Sequence, residues 1–204
     1  ILPLSKFIID FFFKIPKDLN EEIKKIKTKP ASFWEKKGEK SMLNLFEYTY
    51  KNVPAYKKFL KKHKVVPSKI KSIEDFSHLP VVTRDNYLRK YKYIDLFSKK
   101  DFFHATTFSA TSGSTGEPFY FPRDGMHDSE YEYLAEIFLK NQFEIDKKKT
   151  LAVMGFALGI WIGGIFTYKV LNKISEKGYD FTVIPVGTNR DQFLSAVLKF
   201  GKYY

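Results

Sequence analysis

Ala110-Thr111-Ser112-Gly113-Ser114-Thr115-Gly116-Glu117-Pro118 is a run rich in small, hydroxylated and glycine residues set between two segments, 104–109 and 119–121, that read as strands. Strands on either side of a short Ser/Gly turn make a hairpin. A loop of this makeup can also turn several backbone N–H groups and three or four hydroxyls toward one point. Amides arranged as a nest carry fixed positive potential and suit a polyphosphate. Glycine permits the turns and the close backbone approach that such a nest requires.

Spacing separates this stretch from three other glycine motifs. A Walker A loop has four residues between its glycines and closes on Gly-Lys-Ser/Thr. Here two residues separate Gly113 from Gly116, and Glu117 stands where the lysine would be. No third glycine opens a helix, as the dinucleotide fingerprint requires. No glycine lies two before Ser112 or Ser114, which excludes the nucleophile elbow. The residues alone leave two readings open, a flexible hairpin turn and a phosphate cradle.

Working outward, 20–29 and 32–64 read as helices, with Leu43, Phe46 and Tyr50 as an apolar stripe and Pro54 as a break. Ser72 and Asp75 resemble the start of a capping box, and Thr83 caps a further helix through Lys90. Beyond the loop, 124–143 is expected to be a helix with Tyr131, Leu134, Ile137 and Phe138 on its apolar side. Then come a strand at 150–154, a glycine-rich loop, a helix over 165–177, a strand at 181–186 and a helix over 191–200. That alternation argues for an α/β fold with a parallel sheet and crossover helices.

The chain of 204 residues carries a net charge of +12 and no cysteine. Disulfides and thiolate zinc sites are excluded. Residues 1–100 hold 24 Lys and Arg against 11 Asp and Glu, whereas 101–204 hold 11 against 12. The excess charge therefore lies in the N-terminal helices, and only Arg84, Arg89, Arg123 and Arg190 are arginines. Nucleic-acid recognition favours arginine's planar fork, so solvated lysine faces are the expectation and no nucleic-acid partner is. His63, His78, His104 and His127 lack ligand spacing, and no metal-ligating residue is assigned. Residues 1–15 are apolar but interrupted by Lys6, Asp10 and Lys14, which fits an amphipathic docking helix and not a membrane span. Residues 150–168 carry no charge over nineteen positions, with Gly155, Gly159 and Gly163 at small-xxx-small spacing. A transmembrane helix is one reading; a buried strand, a glycine loop and a helix start is the other.

The stretch 111–118 resembles the phosphate-binding loop of the adenylate-forming enzymes, which is Ser/Thr-rich and closes on Thr-Gly-x-Pro. Three flanking stretches narrow the resemblance to the phenylacetate–CoA ligase family, including its capsular-polysaccharide-biosynthesis homologues. They are Tyr48-Thr49-Tyr50-Lys51-Asn52-Val53-Pro54-Ala55-Tyr56, the run 72–85 through Leu79-Pro80 and Thr83-Arg84, and the glycine loop 155–164 with the strand 181–187. Glu117 and Phe119 depart from the pattern, and the helix over 166–177 is slightly longer than usual.

The resemblance implies N-terminal helices, then a hairpin bearing the phosphate loop and a mainly parallel sheet. It divides the chain into a lysine-rich helical region, 1–100, and an α/β nucleotide- and acyl-binding region, 101–204, of one incomplete domain. It implies the N-terminal part of an ATP-dependent, AMP-forming carboxylate–CoA ligase that uses ATP, Mg2+ and coenzyme A on a small carboxylic acid. Thr111, Ser112, Gly113, Ser114, Thr115 and Gly116 would hold the β- and γ-phosphates. Glu117 would reach phosphate only through Mg2+, and Pro118 would set the loop's exit. Phe156, Trp161, Gly163 and Gly164 would line the acyl pocket, although Phe156 and Trp161 read equally as core aromatics. The family's Tyr-Gly-x-Thr-Glu-like segment, ribose-binding aspartate and catalytic lysine would lie beyond Tyr204, so this chain alone is expected to be inactive, with no catalytic residue of its own. A cytoplasmic location goes with that activity. A degenerate nucleotide- or partner-binding module is the alternative, followed by a basic binder of nucleic acid or of a membrane surface.

Overall fold

The computed structural model describes residues 16, 18–111, 117–161 and 163–204. The amphipathic segment 1–15 and the centre of the glycine loop, 112–116, lie outside the described residues. The chain divides into a helical unit, residues 24–105, and an α/β unit formed by 106–204 together with 18–23.

Helix α1 spans Leu19–Thr28 and starts at Asp18, whose carboxylate accepts the N–H of Asn20 at 2.8 Å. In the helical unit, α2 spans Ala31–Asn52 and α3 spans Pro54–Lys62. Pro54 sets the break expected of it. Val53 is extended at φ −104° and ψ 105°, as a residue before proline prefers, and Pro54 opens the next helix where its missing N–H is not needed. The core of this unit is aromatic. Phe46 meets Phe76 edge to face at 5.6 Å, and Tyr87 meets Phe59 at 5.3 Å and Tyr56 at 6.4 Å. Burial pushes the Tyr87 and Tyr56 phenols above their ordinary value, and the neighbouring tyrosines raise Tyr87 further. The helix expected after Thr83 is a single turn, Arg84–Leu88. Thr83 Oγ1 accepts the Asn86 N–H at 3.1 Å, and Asn86 Oδ1 accepts the Thr83 N–H at 2.7 Å. Ser72 does not act as the cap. Asp75 reaches back instead and accepts the N–H groups of Lys71 and Ser72. A short helix α4, Lys99–Phe103, is capped by Ser98, so His104 ends a helix and does not begin a strand.

In the α/β unit, β1 (Thr107–Ala110) pairs antiparallel with β2 (Tyr120–Arg123), Ala110 lying opposite Tyr120. Helix α5 spans Gly125–Phe143, then β3 spans Thr150–Met154, α6 Ile165–Ser175, β4 Phe181–Pro185 and α7 Arg190–Phe200. β3 and β4 pair in parallel from Thr150 opposite Phe181 to Met154 opposite Pro185, with α6 as the crossover. Among the described residues the mainly parallel sheet is therefore one parallel pair and one antiparallel hairpin. Residues 150–168 form a strand, a loop and a helix start, and no described helix is long and apolar enough to cross a membrane. Ile145, Val170, Ile174 and Phe181 form the core, with Tyr131, Ala135 and Leu139 of α5 packed on it.

The buried side of α5 differs from the expected one. Leu134 and Phe138 are each 56% exposed, and Asp128 and Glu136 are buried. The cause is an ion-pair ladder to α6. Asp128 meets Lys169 at 2.5 Å, Glu132 meets Lys173 at 3.4 Å, and Glu136 meets Lys177 at 2.6 Å and the Tyr179 hydroxyl at 2.7 Å. Asp128 and Glu132 of α5 meet Lys169 and Lys173 of α6 in the same order, with Lys177 in the turn just past α6 continuing the series, so the two helices run parallel. Hydropathy periodicity placed Tyr131 on the core but misplaced Leu134 and Phe138, because three acids carry the contact with the next helix.

Candidate functional site

The site is built on the carboxyl ends of β1 and β3. At the end of β1 the hairpin closes on Thr111 and Phe119. The Thr111 N–H donates to the Phe119 carbonyl at 3.0 Å, and the Phe119 N–H donates to Thr111 Oγ1 at 3.0 Å. The glycine loop leaves from this neck. Glu117 is exposed and Pro118 half-buried where the chain returns to β2.

The loop leaving β3 comes back beside the neck. The Ala110 N–H donates to the Ile160 carbonyl at 2.9 Å, and Ala110 forms a parallel bridge with Trp161. Thus half-buried Trp161 lies alongside the residue that launches the glycine loop. Gly159, at φ +117°, makes the turn that a side chain would resist. Gly164 is buried and caps α6 without a side-chain hydrogen bond. A Cβ on it would stand 1.9 Å from the Ala157 carbonyl oxygen, so that loop folds back through space only glycine leaves. Gly163 is exposed, and a Cβ there would meet nothing within 4 Å. Phe156 is 55% exposed and is not a core residue; Leu158, Ile160 and Ile165 near it are exposed as well.

The start of α5 supplies charged groups that the sequence reading passed over. Asp124 accepts the N–H groups of Met126 at 3.0 Å and His127 at 3.2 Å, and its Oδ1 lies 2.8 Å from His127 Nδ1. Burial works against the Asp124 charge, yet these donors hold its carboxyl below its ordinary value. Burial raises the Glu130 carboxyl. The Arg123 guanidinium lies 4.2 Å from the centre of the Phe166 ring at the start of α6. The dipeptide Arg123-Asp124 at a strand-to-helix junction was the available signal for this cluster.

A parallel β–α–β unit with a hairpin and glycine loop at its strand ends is the kind of α/β architecture that binds ligands outside the carboxyl edge. The sequence matches no protein-family model and no curated protein. The fold is similar to solved structures of 2-hydroxyisobutyryl-CoA ligase. One, in complex with 2-HIB-AMP and CoA in the thioesterification state, superposes with a TM-score of 0.64 at 17% identity over 85% of this chain and 36% of the ligase. Another, in the postadenylation state with R3-HIB-AMP, gives 0.61 at 15% identity over 85% and 35%. An open conformation with 2-HIB-AMP and CoA gives 0.62 at 15% identity. The chain thus has a fold similar to a part of 2-hydroxyisobutyryl-CoA ligase and spans just over a third of that ligase's length.

Proposed function

We propose that this chain is the N-terminal part of an ATP-dependent, AMP-forming carboxylate–CoA ligase of the phenylacetate–CoA ligase kind. The observation that carries this reading is the Ala110–Trp161 bridge, which sets the neck of the glycine loop beside the loop leaving β3. A carboxylate is activated when it attacks the α-phosphorus of ATP and pyrophosphate leaves. That step requires polyphosphate and acid to be held side by side, because positioning and charge neutralisation carry most of the catalysis.

Bound ATP would supply the adenylyl group. The backbone N–H groups of 112–116 and the hydroxyls of Ser112, Ser114 and Thr115 would hold the β- and γ-phosphates. Thr111 already accepts from Phe119 and keeps its own O–H proton to donate to a phosphate oxygen. Phe156 and Trp161 would flank the acid, and Gly163, open at its Cβ position, would leave it room. Among the described residues no group of three or more His, Asp and Glu stands together for a metal. Mg2+ would therefore arrive on the nucleotide's phosphates, as this ion commonly does, with Glu117 as its nearest carboxylate on the loop. The thiol of CoA would then displace AMP.

Calorimetric titration with ATP and Mg2+, followed by pyrophosphate exchange with a panel of aryl and alkyl acids on the protein that contains this chain, tests the proposal. Saturable ATP binding that Thr111→Val weakens, together with acid-dependent exchange, is the expected result. ATP binding without exchange under any acid would reduce the chain to a nucleotide-binding module. No ATP binding would refute the phosphate-loop assignment.

A further inference from the structure

The helical unit carries a strongly charged face that acid activation does not use. Between Glu47 and Glu74 the chain has eight lysines and no acid. α3 buries Ala55, Phe59 and Leu60, which turns Lys57, Lys58, Lys61 and Lys62 to solvent on the opposite side. Lys58 pairs with Asp95 at 3.0 Å. Among the described residues no acidic group pairs with Lys57, Lys61, Lys62, Lys64, Lys69 or Lys71. These cations border a recess of mixed character. Leu43, Phe46, Tyr50 and Ile70 wall a groove of about 440 Å3 that Asn44, Ser68, Lys71 and the paired Glu47 and Lys51 also line. Lys57 stands 5.7 Å from the centre of the Tyr50 ring, and Lys61 follows one helical turn later. Val66 and Ile73, on either side of Lys69 and Lys71 in sequence, are exposed.

Every cation of this segment is a lysine. Ammonium groups are point charges that serve against a diffuse anionic plane, whereas nucleic acid rewards the fork of arginine. Exposed aliphatic side chains among lysines are the makeup of a surface that enters the headgroup boundary of a bilayer. We propose that this face docks the protein on an anionic phospholipid membrane. Lys57, Lys61 and Lys71 meet the headgroups, and the exposed Val66 and Ile73 meet the acyl boundary.

The test is sedimentation of the full chain with vesicles of phosphatidylcholine alone and with vesicles rich in phosphatidylglycerol. Each lysine near an anionic surface is worth roughly a fivefold change in partitioning. The variant K57Q/K61Q/K71Q, whose substituted groups form no ion pair among the described residues, is therefore expected to bind anionic vesicles roughly 100-fold more weakly. The variant K27Q/K36Q/K90Q removes the same charge from exposed lysines that do not line the groove and is expected to lose far less. Circular dichroism checks that both remain folded. Three results would overturn the proposal: no preference for anionic over neutral vesicles, an equal loss in both variants, or tighter binding to duplex DNA than to vesicles.

Discussion

Gly164→Ala should destabilise the α/β unit sharply, and Gly163→Ala should not. At position 164 the new methyl would sit 1.9 Å from the Ala157 carbonyl oxygen, 2.8 Å from its carbonyl carbon and 3.2 Å from the Leu158 Cα. Ordinary carbon–oxygen packing needs more than about 3 Å, and the obstacle is backbone that cannot rotate aside. The loop after β3 must move by more than about 1 Å, or α6 must start elsewhere. Overpacking of this kind costs about 1–3 kcal/mol, and a rigid backbone clash belongs at the upper end. At about 2–4 °C per kcal/mol for a chain of this size, the unfolding midpoint falls by roughly 6–12 °C. Gly163 has no atom within 4 Å of its Cβ position and no positive φ, so alanine there should change stability by at most about 1 kcal/mol, in the stabilising direction. The assay is urea and thermal unfolding followed by tryptophan fluorescence in a Trp34→Phe background, which leaves half-buried Trp161 as the reporter beside the perturbation. Equal midpoints for the two variants would refute the loop packing. The pair also separates structure from binding, because a variant that keeps its stability at position 163 yet loses acid turnover places that glycine at the substrate.

Asp124→Ala removes a cap that accepts two backbone N–H groups, and urea unfolding should show a loss of about 1 kcal/mol. Because the folded-state carboxyl is held below its ordinary value of 3.8, its stabilisation is present above that pH and disappears as pH falls through the folded value; the variant should lack that acid limb. Tyr133 is pushed up to about 12 by burial and the nearby Glu22 charge. The unfolded phenol ionises first, so its contribution is present below pH 10 and declines between 10 and about 12; alkaline unfolding titrations of Tyr133→Phe should be flatter in that window. Asp128→Asn breaks the buried end of a pair whose other partner, Lys169, is 44% exposed and can rehydrate, so about 1–2 kcal/mol is expected by denaturant titration in place of the larger cost of a fully buried pair.

Local chemistry made several elements legible. The strand at 150–154 was read at its observed limits, and Pro54 divided two helices where pre-proline sterics require it. The helix read over 124–143 matches α5 to within one residue at its start. Misreadings arose where distant partners decide. Leu134 and Phe138 looked like core because apolar periodicity ignores that Asp128 and Glu136 find lysines 41 residues away. The strand expected from 104 begins at 107 because Ser98 caps a helix that runs to Phe103.

Of the candidate site, the residue types are legible along the chain: a hydroxyl- and glycine-rich loop between strand formers, and a charge-free glycine segment downstream. Those follow from composition and short-range backbone preference, which act over a few residues. Only the tertiary structure decided that the two belong together, through the Ala110–Trp161 bridge, and that Gly164 answers to the Ala157 carbonyl whereas Gly163 stands open. Residues 51 positions apart meet through backbone pairing, and backbone hydrogen bonds are indifferent to side-chain identity. A single sequence therefore carries almost no trace of which strand end will lie against which loop.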